Sequence, residues 1–155
     1  MAVLIIGVGN IQRGDDGAGL LVAQALKGKG LASLTVEESS GEIASIVELL
    51  QTARDVIIVD AMRSGKPAGT ALWIDPLAAA SDAGATISST HGFGVAQAID
   101  LLKALGKLPP RIRLLGIEGQ YFALGAAVSP SVHEGAAKAV RMIVRSLRPK
   151  RRTGL

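Results

Sequence analysis

Apolar and polar positions fall into two kinds of block along this chain of 155 residues. Short apolar runs rich in β-branched residues predict buried strands, and longer segments with apolar positions at helical spacing predict helices. The predicted strands span residues 3–8, 34–38, 55–60, 70–74 and 112–117. The predicted helices span residues 16–27, 42–51, 92–105 and 131–147, the last after a Pro130 start signal.

The order of these blocks predicts the fold. Strand, helix, strand, helix, strand along residues 3–60 is typical of a parallel sheet with right-handed crossovers. The connection at residues 61–69 is too short for a crossover helix, so we expect strand 70–74 to return antiparallel. We therefore predict an α/β three-layer sandwich, with a mostly parallel five-stranded sheet, one antiparallel strand and helices on both faces. Residues 75–90 form a long loop of the kind that often carries function.

Length and charge indicate one domain, residues 1–148, followed by a basic, solvated tail, residues 149–155. Of the 17 basic residues, four lie in the last eight positions, which contain no acid. The rest of the chain is balanced, with 13 residues of each sign, and has only four aromatic side chains. We therefore expect no nucleic-acid partner.

The chain has no apolar run long enough for a membrane span and no signal-peptide pattern at its N-terminus. We therefore expect a cytoplasmic protein with no membrane insertion. The sequence contains no cysteine, which excludes thiolate nucleophiles, disulfides and cysteine zinc sites. Because His91 and His133 are the only histidines, a metal site in this chain must also use carboxylates or backbone groups.

Three dispersed residues are predicted to meet at one edge of the sheet. Asp16 follows the first strand and Asp60 ends the third, so both lie at the carboxyl edge. His91 precedes a helix that leads into a parallel strand, so that helix must begin at the same edge. Two carboxylates and one imidazole with coordination positions left open predict a divalent transition-metal site formed by Asp16, Asp60 and His91.

Simpler interpretations exist for each residue taken alone. Asp15 and Asp16 can cap the following helix, Asp60 can be a turn residue, and His91 can lie in a loop without a ligand. Convergence of three residues favours the metal site, whereas Asp15 is interpreted as the helix cap. We interpret His133, in the first turn of the last helix, as a surface residue.

Ser39, Ser40 and Gly41 lie between the second strand and the second helix. They can cap that helix, or their hydroxyl and amide groups can contact a substrate backbone beside the metal.

A dinucleotide-binding turn also begins with a G-x-G sequence after the first strand, as Gly7 and Gly9 do here. The third glycine of that fingerprint is replaced by Gln12. Asp15 and Asp16 place negative charge where a pyrophosphate would bind. Neither a P-loop nor a G-x-S-x-G nucleophile elbow is present. Nucleotide binding is therefore the third-ranked interpretation.

Several segments together resemble the nickel-iron hydrogenase maturation endopeptidases: GVGNIQRGDDGAG, IIVDA at residues 57–61, THGFG at 90–94, and GIEG and LGAAVSP near the C-terminus. The resemblance implies a protease that removes the C-terminal extension of the hydrogenase large-subunit precursor after nickel insertion. It also implies that Asp16, Asp60 and His91 bind nickel that the precursor supplies, for which another divalent metal can substitute. Asp16 stands where relatives often carry glutamate, and residues 39–41 stand where they often carry a Gly-Gly-Thr-like turn.

The resemblance leaves the chemistry open. The metal can polarise the scissile carbonyl and acidify a bound water, or it can only dock the precursor while Asp16 or Asp60 acts as general base. A rival function is a non-catalytic metal-binding assembly factor of hydrogenase maturation.

Overall fold

The computed structural model describes residues 2–76 and 92–148, and within them five strands form one sheet. The strands are β1 (Val3–Val8), β2 (Leu34–Ser39), β3 (Asp55–Met62), β4 (Ala71–Ile74) and β5 (Arg111–Glu118). Their order across the sheet is β2-β1-β3-β5-β4. All neighbouring pairs are parallel except β4 with β5, which is antiparallel. The predicted fold class, including the returning strand, is confirmed.

Within the described residues, four α-helices cover the two faces of the sheet: α1 (Ala18–Lys29), α2 (Ile43–Leu50), α3 (Gly92–Ala104) and α4 (Pro130–Ser146). Alternate strand residues divide between two apolar cores, as the period of a strand requires. Ile5, Ile57 and Val59 pack with α1 and α4, whereas Ile6 and Ile58 pack with α2 and α3. The continuous apolar runs of β1 and β3 follow from burial on both faces.

The first helix differs from its prediction. Instead of one helix over residues 16–27, a 3₁₀ helix, Ile11–Gly17, precedes α1. Its backbone is non-helical at Arg13 and Gly14, where Gly14 has a φ of +57°. The turn places Asp15 and Asp16 inside the protein, at 0% and 1% exposure, rather than on the first turn of an exposed helix.

Two predicted segments lie wholly or largely outside the described residues: the loop at 75–90, of which only 75 and 76 are described, and the basic tail at 149–155. Among the helices of the described part, none is long and apolar enough to cross a membrane.

Candidate functional site

Asp16 and Asp60 meet at the carboxyl edge of the sheet, as the sequence predicted. Asp16 lies in the 3₁₀ helix after β1, and Asp60 lies near the end of β3. Both side chains are buried, at 1% and 2% exposure. The turn is held close to the sheet because the Asn10 N–H donates to the Asp16 carbonyl at 3.3 Å and the Gly9 N–H donates to the Ser39 carbonyl at 3.1 Å. A side chain at Gly9 would overlap the Asp16 carbonyl, so this approach requires glycine.

The surroundings of Asp60 disfavour the charged form of its carboxyl group. Burial and the nearby charge of Asp16 raise the pKa of Asp60 well above its ordinary value, and a hydrogen bond from the Ala61 N–H opposes them. That bond, 2.8 Å long, uses Oδ1. Within the described part of the chain, the buried Oδ2 atom has no hydrogen-bond partner. Buried polar atoms normally have a hydrogen-bond partner, so this oxygen is a candidate to bind a proton or to coordinate a cation.

His91, the third predicted ligand, lies outside the described residues, but the chain on its C-terminal side is anchored beside the other two. Helix α3 begins at Gly92, and Gly94 packs so closely on the Gly41 carbonyl that a side chain there would overlap it. Gly41 follows β2, so α3 begins at the carboxyl edge of the sheet. Asp60 follows Ile58 by two residues on β3, so both side chains lie on the same face of the sheet. That face is the one covered by α2 and α3.

No cluster of three or more potential metal-ligating side chains exists among residues 2–76 and 92–148. His91, which lies outside this part of the chain, is the residue predicted to supply the third side-chain ligand. Nothing in the described structure contradicts the predicted set of Asp16, Asp60 and His91, and its role as a metal site stays a prediction.

The predicted substrate-binding segment is fixed by internal hydrogen bonds. The buried Ser39 hydroxyl accepts from the Gly41 N–H at 3.1 Å and shares a 3.0 Å hydrogen bond with the Ser45 hydroxyl. Ser39 is therefore not the N-cap of α2, a position that Glu42 occupies without a side-chain hydrogen bond. Ser40 is exposed, and the backbone of Gly41 has a φ of +91°. Of the two hydroxyls, that of Ser40 is the accessible one.

Asp15 is structural, as expected, but it does not cap α1. Its carboxylate accepts three backbone N–H groups, from Gln120, Tyr121 and Ser129, at 2.7–2.9 Å. Burial raises the pKa of Asp15, but these hydrogen bonds outweigh it and hold the pKa below its ordinary value. The Asp15 N–H also donates to the Tyr121 carbonyl at 2.8 Å. Asp15 thus fastens the loop after β5 to the turn that carries Asp16.

Glu118 is a second buried anchor and is not among the residues predicted from the sequence. At the end of β5 its carboxylate accepts the N–H groups of Ser64 and Gly65 and the Ser64 hydroxyl at 2.7–3.2 Å. It holds the loop after β3 directly beyond Asp60. The sequence pattern at Glu118 is the same as at Asp60: a carboxylate at the end of a buried apolar strand.

The two anchored loops contact each other beside the carboxylate pair. The Arg63 guanidinium lies 4.3 Å from the centre of the Phe122 ring, a cation–π contact. Large apolar side chains stand exposed on this side of the molecule: Ile11 at 50%, Tyr121 at 58% and Leu124 at 73%. We call these three residues the apolar rim. The segments that carry these residues are joined, because the Gly125 N–H donates to the Gln12 carbonyl at 2.7 Å.

His133 lies exposed in the first turn of α4, which agrees with its interpretation as a surface residue.

The negative charges of Asp15 and Asp16 lie in the turn before α1, where a dinucleotide would need phosphate-binding groups. Chemically, the edge offers two adjacent buried carboxyl groups, which can take up a proton or a cation, next to an exposed apolar surface that can contact a polypeptide.

The sequence of this chain is similar to those of proteins of known function. A family model described as hydrogenase maturation protease matches residues 29–146, which include Asp60 and His91 and leave out Asp16. The chain is 26% identical over 148 residues to the hydrogenase expression/formation protein HupD of Thiocapsa roseopersicina, covering 94% of this chain and 67% of HupD. It is 27% identical to the hydrogenase 2 maturation protease of Escherichia coli, covering 96% of this chain and 92% of that protease.

The fold has a close counterpart among solved structures. The [NiFe] hydrogenase maturation protease HybD from Thermococcus kodakarensis superposes with a TM-score of 0.79 at 29% identity, over 96% of this chain and all of that one. Its coverage includes the N-terminal part that the family model leaves out. The fold and the matched sequence agree, and the chain belongs to the hydrogenase maturation protease family, whose members are peptide hydrolases.

Proposed function

We propose that this protein is the endopeptidase that removes the C-terminal extension of a nickel-loaded hydrogenase large-subunit precursor. In this proposal Asp16, Asp60 and His91 recognise the nickel that the precursor carries. The observation that supports it most directly is the burial of Asp16 and Asp60 side by side. Two carboxyl groups in one buried place raise the energy of the folded chain unless a proton or a cation compensates them.

The donor set fits a metal that arrives with the substrate. Asp60 uses Oδ1 for the Ala61 N–H, which leaves the buried Oδ2 for another partner. Two carboxylates and one imidazole leave coordination positions for ligands from the precursor. A protein that relies on such a site binds a nickel-loaded precursor better than a nickel-free precursor, because ligands from both proteins share the one metal ion.

Peptide hydrolysis requires water to attack the scissile carbonyl carbon while the C–N bond breaks and the amine takes a proton. The nickel of the precursor supplies a positive charge at this edge, which stabilises negative charge in the transition state. Of Asp16 and Asp60, a carboxylate that the nickel does not engage can act as the general base, which accepts the proton of water and passes it to the amine.

The polypeptide substrate needs a surface as well as a catalytic edge. We assign this role to the predicted segment Ser39, Ser40 and Gly41 together with the apolar rim. The rim residues and Ser40 are exposed, and they lie on segments that follow strands at the same edge of the sheet as the carboxylate pair. The Ser39 hydroxyl is occupied by Gly41 and Ser45, so its contribution is to hold the Gly41 backbone in place.

Incubating the purified chain with nickel-loaded precursor tests the proposal. The expected result is a shortened large subunit, detected by its mass, with loss of cleavage in the His91→Ala variant. Undiminished cleavage by His91→Ala would remove the proposed role of His91. A stable complex without cleavage by the wild-type chain would instead indicate a non-catalytic assembly factor.

A further inference from the structure

The face formed by α1 and α4 carries a groove far from the carboxylate pair. Its volume is about 270 Å³, and it is lined by four cationic residues and two valines: Lys29, Arg141, Arg145, Arg148, Val140 and Val144. We call this surface the cationic groove. Both helices begin at the carboxyl edge, so the groove lies toward their other ends. The 12 residues of α1 alone separate Lys29 from the site by about 18 Å.

The residues that line the groove in the described part of the chain include four cations and no acid. Arg141 and Arg145 lie one turn apart on one side of α4, and Arg148 follows two residues after the helix ends. Helix α1 contains no acidic residue, and the chain has none after Glu134. Among the residues that the structure describes, none of the four cations forms an ion pair. In sequence, Lys150, Arg151 and Arg152 follow directly and add charge of the same sign.

The shape and lining of the groove select among anionic partners. The lining contains no aromatic side chain, so it offers no platform for stacking nucleic-acid bases. It is concave, with Val140 and the half-buried Val144 between the cations, whereas a membrane surface is met by an exposed apolar face. A polypeptide segment that carries both acidic and apolar side chains matches cations that flank an apolar floor.

We propose that the cationic groove is a second interaction site, which docks an acidic segment of a partner polypeptide independently of the carboxylate pair. The ion pairs would be solvent-exposed, so binding weakens as salt screens them. The site would hold a partner on the face of α1 and α4 while the opposite end of the same helices carries the hydrolytic edge.

The test uses the full chain and a fluorescein-labelled synthetic peptide of mixed glutamate and leucine residues, with binding followed by fluorescence anisotropy. We expect saturable binding that weakens with added salt. Arg141→Glu with Arg145→Glu should weaken it about tenfold or more, because two exposed attractions become repulsions. The matched control is Lys103→Glu with Lys107→Glu, two exposed residues at the end of α3, on the other face of the sheet, with the same change in net charge.

Equal weakening by both double variants would overturn the proposal, because net charge alone would then explain binding. Absence of peptide binding would overturn it as well. Tighter binding of a single-stranded oligonucleotide or of phosphatidylserine vesicles than of the peptide would overturn the assignment to a polypeptide partner. Circular dichroism of each variant separates loss of binding from loss of fold. Cleavage of precursor does not enter this test, so its outcome is independent of the proposed hydrolytic function.

Discussion

Asp60 lies close enough to Asp16 that the charge of Asp16, added to burial, raises the pKa of Asp60 well above its ordinary value. Neither residue is needed to fill the apolar cores, which consist of aliphatic side chains on both faces of the sheet. A buried carboxyl group with a strongly raised pKa beside a second buried carboxyl group is typical of a functional site.

The first prediction concerns stability. Asp60→Asn should leave the melting temperature unchanged or raise it by a few degrees, because it removes the repulsion with Asp16 at nearly constant volume. The same variant should lower the cleavage rate about 100-fold or more. Thermal unfolding and a processing assay measure the two effects. Asp100→Asn, at an exposed position on α3, is the control and should change neither. A strongly destabilised Asp60→Asn protein would show that Asp60 is a structural residue.

Asp15 should behave in the opposite way. Asp15→Asn leaves at least one of three buried backbone N–H groups facing the side-chain NH2, which cannot accept a hydrogen bond, and this should lower the free energy of unfolding by about 2–4 kcal/mol. Because the folded pKa lies below the ordinary value of 3.8, the stabilisation by the wild-type carboxylate is complete above that pH and is lost as the pH falls through the folded pKa.

Urea unfolding of wild-type and Asp15→Asn protein at neutral and acidic pH measures this difference. The gap in unfolding free energy should be widest near pH 7 and narrow below about pH 4. A gap that does not change with pH would contradict the assignment of a charged carboxylate to Asp15.

The contact of Gly94 with Gly41 predicts a position where one methyl group matters. Gly94→Ala should push the start of α3 away from Gly41, lower the unfolding free energy by about 1–3 kcal/mol and reduce cleavage. Gly28→Ala is the control, because its new methyl group meets open space within α1 and should stabilise the helix by about 0.5–1 kcal/mol. Thermal unfolding compares them, and equal melting temperatures would contradict the close contact.

The apolar rim should act on substrate affinity. Tyr121→Ala with Leu124→Ala should raise KM for the precursor about tenfold with little change in melting temperature, since both side chains are exposed. Leu101→Ala with Leu105→Ala, which removes two exposed leucines from the α3 region, is the control and should leave KM unchanged. An unchanged KM in the rim variant would place substrate docking elsewhere.

Much of this architecture follows from local patterns in the sequence. The apolar runs of β1 and β3 and the short connection before β4 predict the sheet, and the carboxyl-edge rule brings Asp16 and Asp60 together. The partners of Asp15 could not be predicted, because they lie 105 to 114 residues further along the chain and donate through their backbone, which leaves no side-chain signal. These long-range hydrogen bonds also explain why a 3₁₀ helix precedes α1, because they fasten residues 11–17 to a loop that is distant in sequence.

The departure at Ser39 has a similar cause. A serine before a helix usually indicates an N-cap, but here Gly41 adopts a positive φ and turns its N–H toward the Ser39 hydroxyl. The carbonyl of Gly41 then supports Gly94 of α3. This contact joins the segment after β2 to the first turn of α3, which is distant in sequence, so residue spacing alone does not reveal the role of Ser39.

The most direct test of the central claim compares precursor with and without nickel. Purified chain is incubated with each form of the large-subunit precursor, and the mass of the large subunit is followed over time. We predict that wild-type protein shortens the nickel-loaded precursor and leaves the nickel-free form intact, and that Asp16→Asn, Asp60→Asn and His91→Ala shorten neither. Equal cleavage of both forms by the wild-type protein would contradict recognition of the metal by Asp16, Asp60 and His91.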